Sequence, residues 1–130
     1  MRMVKIEYKG GIRFTASTRG HEIAVDLPPA KGGTDEGMTP PELLVASFGA
    51  CIGVYVTRYL SQVGLNAEGT TIEVNHETAE DPLRISQLHA KVTVPGGIPR
   101  ERRAAVHRVA EKCLIHQTLC YAPAMTIDLV

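Results

Sequence analysis

The sequence has no excess of charge of either sign. Its 130 residues include 14 lysines and arginines and 14 aspartates and glutamates. Proteins that bind nucleic acid or an acidic membrane surface usually carry a basic patch or a basic excess, so we expect neither kind of partner. An apolar fraction of 44% with balanced charge is typical of an ordered globular chain. At this length we expect a single domain over residues 1–130.

Long uncharged stretches are also scarce. The longest that also lacks histidine runs from Leu43 to Thr57 and as a helix would span about 22 Å, which is short for a bilayer crossing. The amino-terminal residues alternate apolar and charged side chains and lack the apolar core of a signal peptide. We therefore expect a cytoplasmic protein with no membrane partner. Cysteines in that compartment are normally reduced, which favours catalytic, redox or metal-binding roles over structural disulfides.

The chain contains no glycine-rich phosphate loop and too few strand–helix crossovers for a doubly wound sheet. Apolar periodicity predicts the element order βββ-α-ββ-α-β. This order indicates an α+β fold in which antiparallel-rich sheets pack on two central helices. The predicted strands cover residues 4–8, 12–17, 21–27, 70–77, 84–94 and 125–130, and the predicted helices cover 40–62 and 99–117.

The first helix has a clear start and no polar face. Thr39 and Glu42 fit a Thr-x-x-Glu capping box, with Pro40 at the first helical position. Between Glu42 and Arg58 the helix carries no charge, and a helix that is apolar all round is buried all round. Because one small chain can hardly surround it, we expect a homodimer. A strip of small residues should let another backbone approach closely: Ala46, Gly49 or Ala50, and Gly53.

Two cysteines lie within the two predicted helices, Cys51 in the first and Cys113 in the second. Each can be interpreted as a small buried core residue or as half of a redox pair. A third interpretation concerns Cys113, His116 and Cys120, whose spacing would place them on one helix face and whose side chains suit Zn²⁺. No strong fourth ligand is evident, so we expect no metal and no other cofactor. Serine-hydrolase and zinc-protease motifs are absent.

The segment Thr39-Pro-Pro-Glu-Leu-Leu, with Cys51 nine residues after Glu42, resembles the osmotically induced protein C and organic hydroperoxide resistance (OsmC/Ohr) family. In that family a Pro-Glu-x-Leu opening leads to a first cysteine inside a buried helix. A second cysteine follows near the end of a later helix. Glu42, Leu44, Cys51 and Cys113 match these places, and the element order matches over nearly the whole chain.

The resemblance implies a cysteine-based peroxide reductase that acts in oxidative stress. Cys51 would attack an organic hydroperoxide and Cys113 would resolve the sulfenic acid as a disulfide, which a dithiol reductant of the lipoyl type would reduce. Family members are intertwined homodimers with both active sites at the interface. An arginine would hold the Cys51 thiolate, and Glu42 would orient that arginine.

The chain departs from the family at two points. Cys113-Leu-Ile-His116 replaces the usual Cys-Pro-x-Ser around the second cysteine, and no arginine matches the activating position unambiguously. We choose Arg13 as the activating residue and Arg19 as the second choice. These departures place the chain in the OsmC-like branch. The alternative is a non-catalytic OsmC-like dimer that binds a small apolar ligand and uses both cysteines for packing.

Overall fold

A three-stranded antiparallel sheet forms most of the first of two units, which ends at Leu44. The strands are β1 (Lys5–Tyr8), β2 (Phe14–Thr18) and β3 (His21–Val25), in the order β1-β2-β3. The β2–β3 turn is tight because Arg19 and Gly20 both have positive φ, 51° and 82°, and glycine adopts that region without steric cost. These positions agree with the predicted strands to within two residues. The computed structural model of the protein describes residues 2–130.

The second unit, Val45–Val130, is built on a long helix. This helix, α1 (Pro40–Gln62), has the predicted bounds, and its capping box is present: the Thr39 N–H donates to Glu42 Oε1 at 2.9 Å and the Glu42 N–H donates to Thr39 Oγ1 at 3.3 Å. The hairpin β4 (Thr71–Ala79) and β5 (Arg84–Thr93) packs on α1. The buried cluster of this unit contains Phe48, Ile52, Val56, Leu60, Val106 and Cys113.

The small residues of α1 face the hairpin. A methyl group added to Gly49 would come within 3.0 Å of Val74 Cγ2, and one added to Gly53 would come within 3.3 Å of Ile72 Cδ1. Within this chain, therefore, β4 side chains fill the space beside these two glycines. The prediction that the strip admits another backbone was wrong at these two positions, because bulky β-branched side chains already lie against them.

The second predicted helix is interrupted. A short 3₁₀ turn precedes α2 (Arg103–Glu111), and a separate helix α3 (Leu114–Cys120) follows. Residue 113 has φ −57° and ψ 142°, an extended conformation that no helix continues through. The prediction of one helix over residues 99–117 was wrong at this point, because the apolar spacing of α2 continues to Cys113 while its backbone leaves the helix.

The predicted last strand is also absent from the described chain. Residues 122–130 have no regular secondary structure, and the alternating apolar residues Met125, Ile127 and Leu129 are 82%, 90% and 95% exposed. A strand requires a hydrogen-bonding neighbour, and in this single chain residues 122–130 pair with none of the described strands. The α+β class with antiparallel sheets is nevertheless confirmed.

Helix α1 is long and apolar enough to cross a membrane by length and composition, with 33% of its most apolar window buried. The core helix of a soluble protein meets the same criterion. Its exposed positions include Ala46, Ala50 and Val54, the last of which is 50% exposed.

Candidate functional site

Cys51 lies in the middle of α1, on the turn between two buried side chains. Phe48 precedes it by three residues and Ile52 follows it, and both belong to the core cluster. Cys51 itself is partly exposed and packs against that cluster. The helix therefore holds this thiol at the edge of the apolar core, within reach of a small molecule.

Cys113 lies at the junction of α2 and α3 and is fully buried. It is the N-cap residue of α3, and its Sγ accepts a hydrogen bond from the His116 N–H at 3.2 Å. Sulfur here takes the place of the hydroxyl or carboxylate oxygen that usually caps a helix. The interruption between the two helices thus lets the His116 N–H reach the Cys113 sulfur.

The structure brings Cys51 and Cys113 together. Cys51 packs against the buried cluster that contains Cys113, its sulfur lies close enough to act on the Cys113 thiol, and neither cysteine is in a disulfide. Burial raises the pKa of the Cys113 thiol, the His116 N–H acts in the opposite direction, and the Cys51 sulfur raises the pKa further. A thiol with a raised pKa stays protonated, so Cys113 can donate its S–H to the sulfur of Cys51.

His116 has an unexpected position in α3. Its ring stacks on Phe48 with centroids 6.1 Å apart and planes 23° apart, and its Nδ1 lies 3.7 Å from the Sγ of exposed Cys120. The sequence analysis considered His116 as a possible zinc ligand with Cys113 and Cys120, and did not predict its contact with Phe48. Among residues 2–130, no group of three or more His, Cys, Asp or Glu side chains could hold a metal ion. The contact between His116 and Cys120 therefore joins these two residues alone and is not part of a larger metal-binding group.

Arg13, the predicted activating residue, is engaged within the first unit. Its Nη1 lies 2.9 Å from Glu36 Oε2, and the Arg13 side chain is 37% exposed. Arg19 lies exposed in the β2–β3 turn. Glu42 is held at the start of α1 by its capping box with Thr39. The roles of Arg13 and Glu42 toward Cys51 stay predictions.

The loop that carries Glu36 folds around a buried carboxylate, Asp26, which is 1% exposed. Asp26 accepts hydrogen bonds from the Leu27 N–H at 2.7 Å, the Glu36 N–H at 3.1 Å, and Thr34 through its hydroxyl at 2.9 Å and its N–H at 3.4 Å. The Leu27 N–H lowers the pKa of Asp26, burial opposes it, and the Glu36 and Thr34 donors lower it further. Sequence reasoning missed this residue.

Asp26 therefore controls the position of the Arg13 partner. The Thr34 hydroxyl also lies 2.7 Å from Glu36 Oε2, the same oxygen that binds Arg13. Because Thr34 and the Glu36 backbone are both bound to Asp26, the guanidinium of Arg13 is placed through a chain of contacts that begins at one carboxylate. An aspartate at the end of a strand, followed by two prolines and a polar loop, is the weak sequence signal that could have indicated it.

The OsmC-like protein family model matches residues 33–129 of the chain. The chain is 26% identical to a protein of Psychrobacter arcticus proposed to be an osmotic stress induced and detoxification response protein. The match covers 91% of this chain and 88% of that crystal structure, with a TM-score of 0.83.

Two further crystal structures share the fold. An OsmC-like protein of Mycoplasma pneumoniae is 17% identical over 94% of this chain and 89% of its own, with a TM-score of 0.76. An organic hydroperoxide resistance protein OsmC of Legionella pneumophila is 20% identical over 92% and 90%, with a TM-score of 0.61. No curated protein matches the chain.

Proposed function

Because the chain belongs to the OsmC family, we propose that it is a thiol-dependent peroxidase that reduces organic hydroperoxides. Cys51 is the attacking cysteine and Cys113 the resolving cysteine. The observation that carries this proposal is the contact between a partly exposed thiol and a fully buried one. A pair so arranged can receive a peroxide at one sulfur and close a disulfide with the other.

In the first step the Cys51 thiolate attacks one oxygen of the peroxide. An S–O bond forms, the O–O bond breaks, and the alkoxide leaves as the alcohol after it takes a proton. Sulfur loses two electrons and the peroxide gains them. Burial raises the pKa of the Cys113 thiol, so Cys113 stays protonated in this step.

In the second step Cys113 attacks the sulfenic sulfur of Cys51 and hydroxide leaves as water. The disulfide forms without an external oxidant because the sulfenic acid is already at the required oxidation level. The His116 N–H, which points at the Cys113 sulfur at 3.2 Å, stabilises the developing thiolate during this attack. A dithiol of the lipoyl type then returns both cysteines to thiols by exchange.

The activating cation in this proposal is Arg13, which Glu42 orients. Nine residues of helix separate Glu42 from Cys51 in the sequence, which corresponds to about 13 Å of rise. The Glu42 side chain cannot span that length, so Glu42 does not touch the Cys51 of its own chain directly. The arginine therefore completes the site through its own reach or from the partner subunit.

A homodimer is the assembly that fits this chain. OsmC proteins are commonly dimeric, the α1 positions Ala46, Ala50 and Val54 are exposed, and the carboxy-terminal tail exposes apolar side chains that include Met125, Ile127 and Leu129. A second copy would cover such surfaces. Sedimentation at micromolar concentration should give twice the chain mass of 14.1 kDa, and a stable folded monomer would remove this part of the proposal.

We propose that the protein is located in the cytoplasm.

The alternative is a non-catalytic OsmC-like dimer that binds a small apolar ligand. The burial of Cys113 in the core cluster favours it, because a buried cysteine also serves for packing alone.

Peroxide consumption separates the two functions. With cumene hydroperoxide and excess dihydrolipoamide, the wild-type protein should turn over and Cys51→Ser should lose activity by about 10³-fold or more. Cys120→Ser is the matched control, because it removes an exposed thiol that the mechanism does not use. Full activity in Cys51→Ser, or none in the wild type, would reject the peroxidase.

A further inference from the structure

A cavity of about 620 Å³ opens in the second unit between α1, β5 and α2. This volume lies within the range of small-molecule sites. Its floor is apolar and consists of side chains from all three elements: Phe48, Ile52, Leu88, Val92, Val106 and Ala110. Such a floor suits a short alkyl chain or an aromatic ring, since burial of apolar surface drives association.

The rim of the cavity has a different chemistry. Basic, imidazole and acidic side chains line it: Arg103, His89, His107, His116 and Glu111. Glu111 is already paired, with its Oε1 3.0 Å from His107 Nδ1. Arg103 has no ion pair or side-chain hydrogen bond within residues 2–130. The rim therefore offers the unpaired guanidinium of Arg103, and Glu111, the only carboxylate among its lining residues, is paired with His107 of the same rim.

The cavity is separate from the cysteine pair. Neither Cys51 nor Cys113 lines it, although His116 lines it and donates its backbone N–H to the Cys113 sulfur. A molecule in the cavity would thus contact Phe48 and His116 and would not need to react with a thiol.

We propose that this cavity binds a small amphipathic carboxylate. The apolar body lies against Phe48, Ile52 and Val106, and the carboxylate lies at Arg103, whose planar fork of N–H donors matches a carboxylate in geometry. Charge complementarity selects an anion over a neutral molecule of the same length. The inference rests on the cavity alone and holds whether or not Cys51 reduces peroxides.

The test compares two ligands that differ only in the head group. Calorimetric titration of the full-length protein with octanoate and with 1-octanol should show tighter binding of octanoate, on the order of tenfold. Equal affinities for the two ligands, or no binding of either, would overturn the proposal.

Two substitutions locate the contact. Arg103→Gln should lower octanoate affinity by about tenfold and leave octanol unchanged, while Arg108→Gln, on the same helix but outside the cavity lining, should change neither. Ala104→Trp, at an exposed lining position, should weaken both ligands. If Arg103→Gln behaves like Arg108→Gln, or if Ala104→Trp has no effect, the proposed site is wrong.

Cys51→Ser distinguishes this inference from the proposed function. The variant should bind octanoate as the wild-type protein does, even though it consumes no peroxide. If octanoate binding disappears with the Cys51 thiol, the ligand binds at the cysteine pair and the proposal of a separate carboxylate site is rejected.

Discussion

Each of the two units buries an ionisable side chain, Asp26 in the first and Cys113 in the second. The pKa values of these two groups are shifted in opposite directions. Asp26 is surrounded by four hydrogen-bond donors, and its pKa is lowered although it is buried. Cys113 has two nearby backbone N–H groups, those of His116 and Ile115, and a neighbouring sulfur, and its pKa is raised. Burial alone disfavours the charged form, and only a sufficient set of donors reverses the effect.

The difference fits two kinds of task. A carboxylate that stays ionised can hold a loop in place, as Asp26 holds Thr34 and Glu36. A thiol that stays protonated beside a second thiol can wait until its partner is oxidised, which is the role we propose for Cys113. The predictions below change one side of this comparison at a time.

The largest effect is expected at Cys113. Without reductant, Cys113→Ser and the wild-type protein should each reduce one equivalent of cumene hydroperoxide per chain, but the variant should remain at the Cys51 sulfenic acid because no buried thiol is left to close the disulfide. Mass spectrometry after treatment with dimedone should find the adduct at Cys51. Unchanged disulfide formation in this variant would show that Cys113 is not the resolving cysteine, and Cys120→Ser serves as the control that should still close the disulfide.

A smaller effect is expected at Arg13. A thiolate held by an arginine reacts with iodoacetamide well below pH 8. Arg13→Ala should move the pH profile of Cys51 alkylation upward by about one pH unit, and Glu42→Ala should move it less.

Arg19→Ala provides the comparison for that experiment, since Arg19 also lies in the amino-terminal sheet region. If neither arginine substitution moves the profile, no arginine from these strands activates Cys51. The proposed peroxidase would then have no activating arginine, and the alternative function, binding of a small apolar ligand without catalysis, would be favoured.

The smallest effect is expected at Asp26 and concerns stability against pH. Its folded-state pKa is lowered, so the stabilisation is fully present above the unfolded pKa of about 4 and is lost as the pH falls through the folded value. Urea midpoints of the wild-type protein should therefore decrease below about pH 4. Asp26→Asn should reduce this dependence, whereas Asp128→Asn, in the exposed tail, should leave it as it is.

Local patterns predicted much of the fold. The capping box of Thr39 and Glu42 set the start of α1, and alternation found the strands, because both signals come from neighbours in sequence. The helix end at Cys113 escaped prediction, since the apolar spacing of α2 continues through the residue that leaves the helix. The last strand was predicted from alternation in residues 125–130, but alternation does not supply a pairing partner.

The candidate site was predictable to a different extent. Cys51 and Cys113 were singled out as a possible redox pair by their places in the two predicted helices, the family resemblance implied their roles, and the two residues lie in contact. Asp26 and the contact of His116 with Phe48 were missed because tertiary packing sets them. Asp26 binds residues eight and ten positions ahead, and His116 stacks on a ring 68 positions earlier in another helix. No local period indicates contacts of that kind.

The count of free thiols before and after one equivalent of cumene hydroperoxide tests the central claim most directly. The wild-type protein starts with three free cysteines per chain. We expect two to disappear together, peptide mapping to identify a Cys51–Cys113 disulfide, and Cys120 to remain free. Retention of all three thiols, or a disulfide that includes Cys120, would contradict the account.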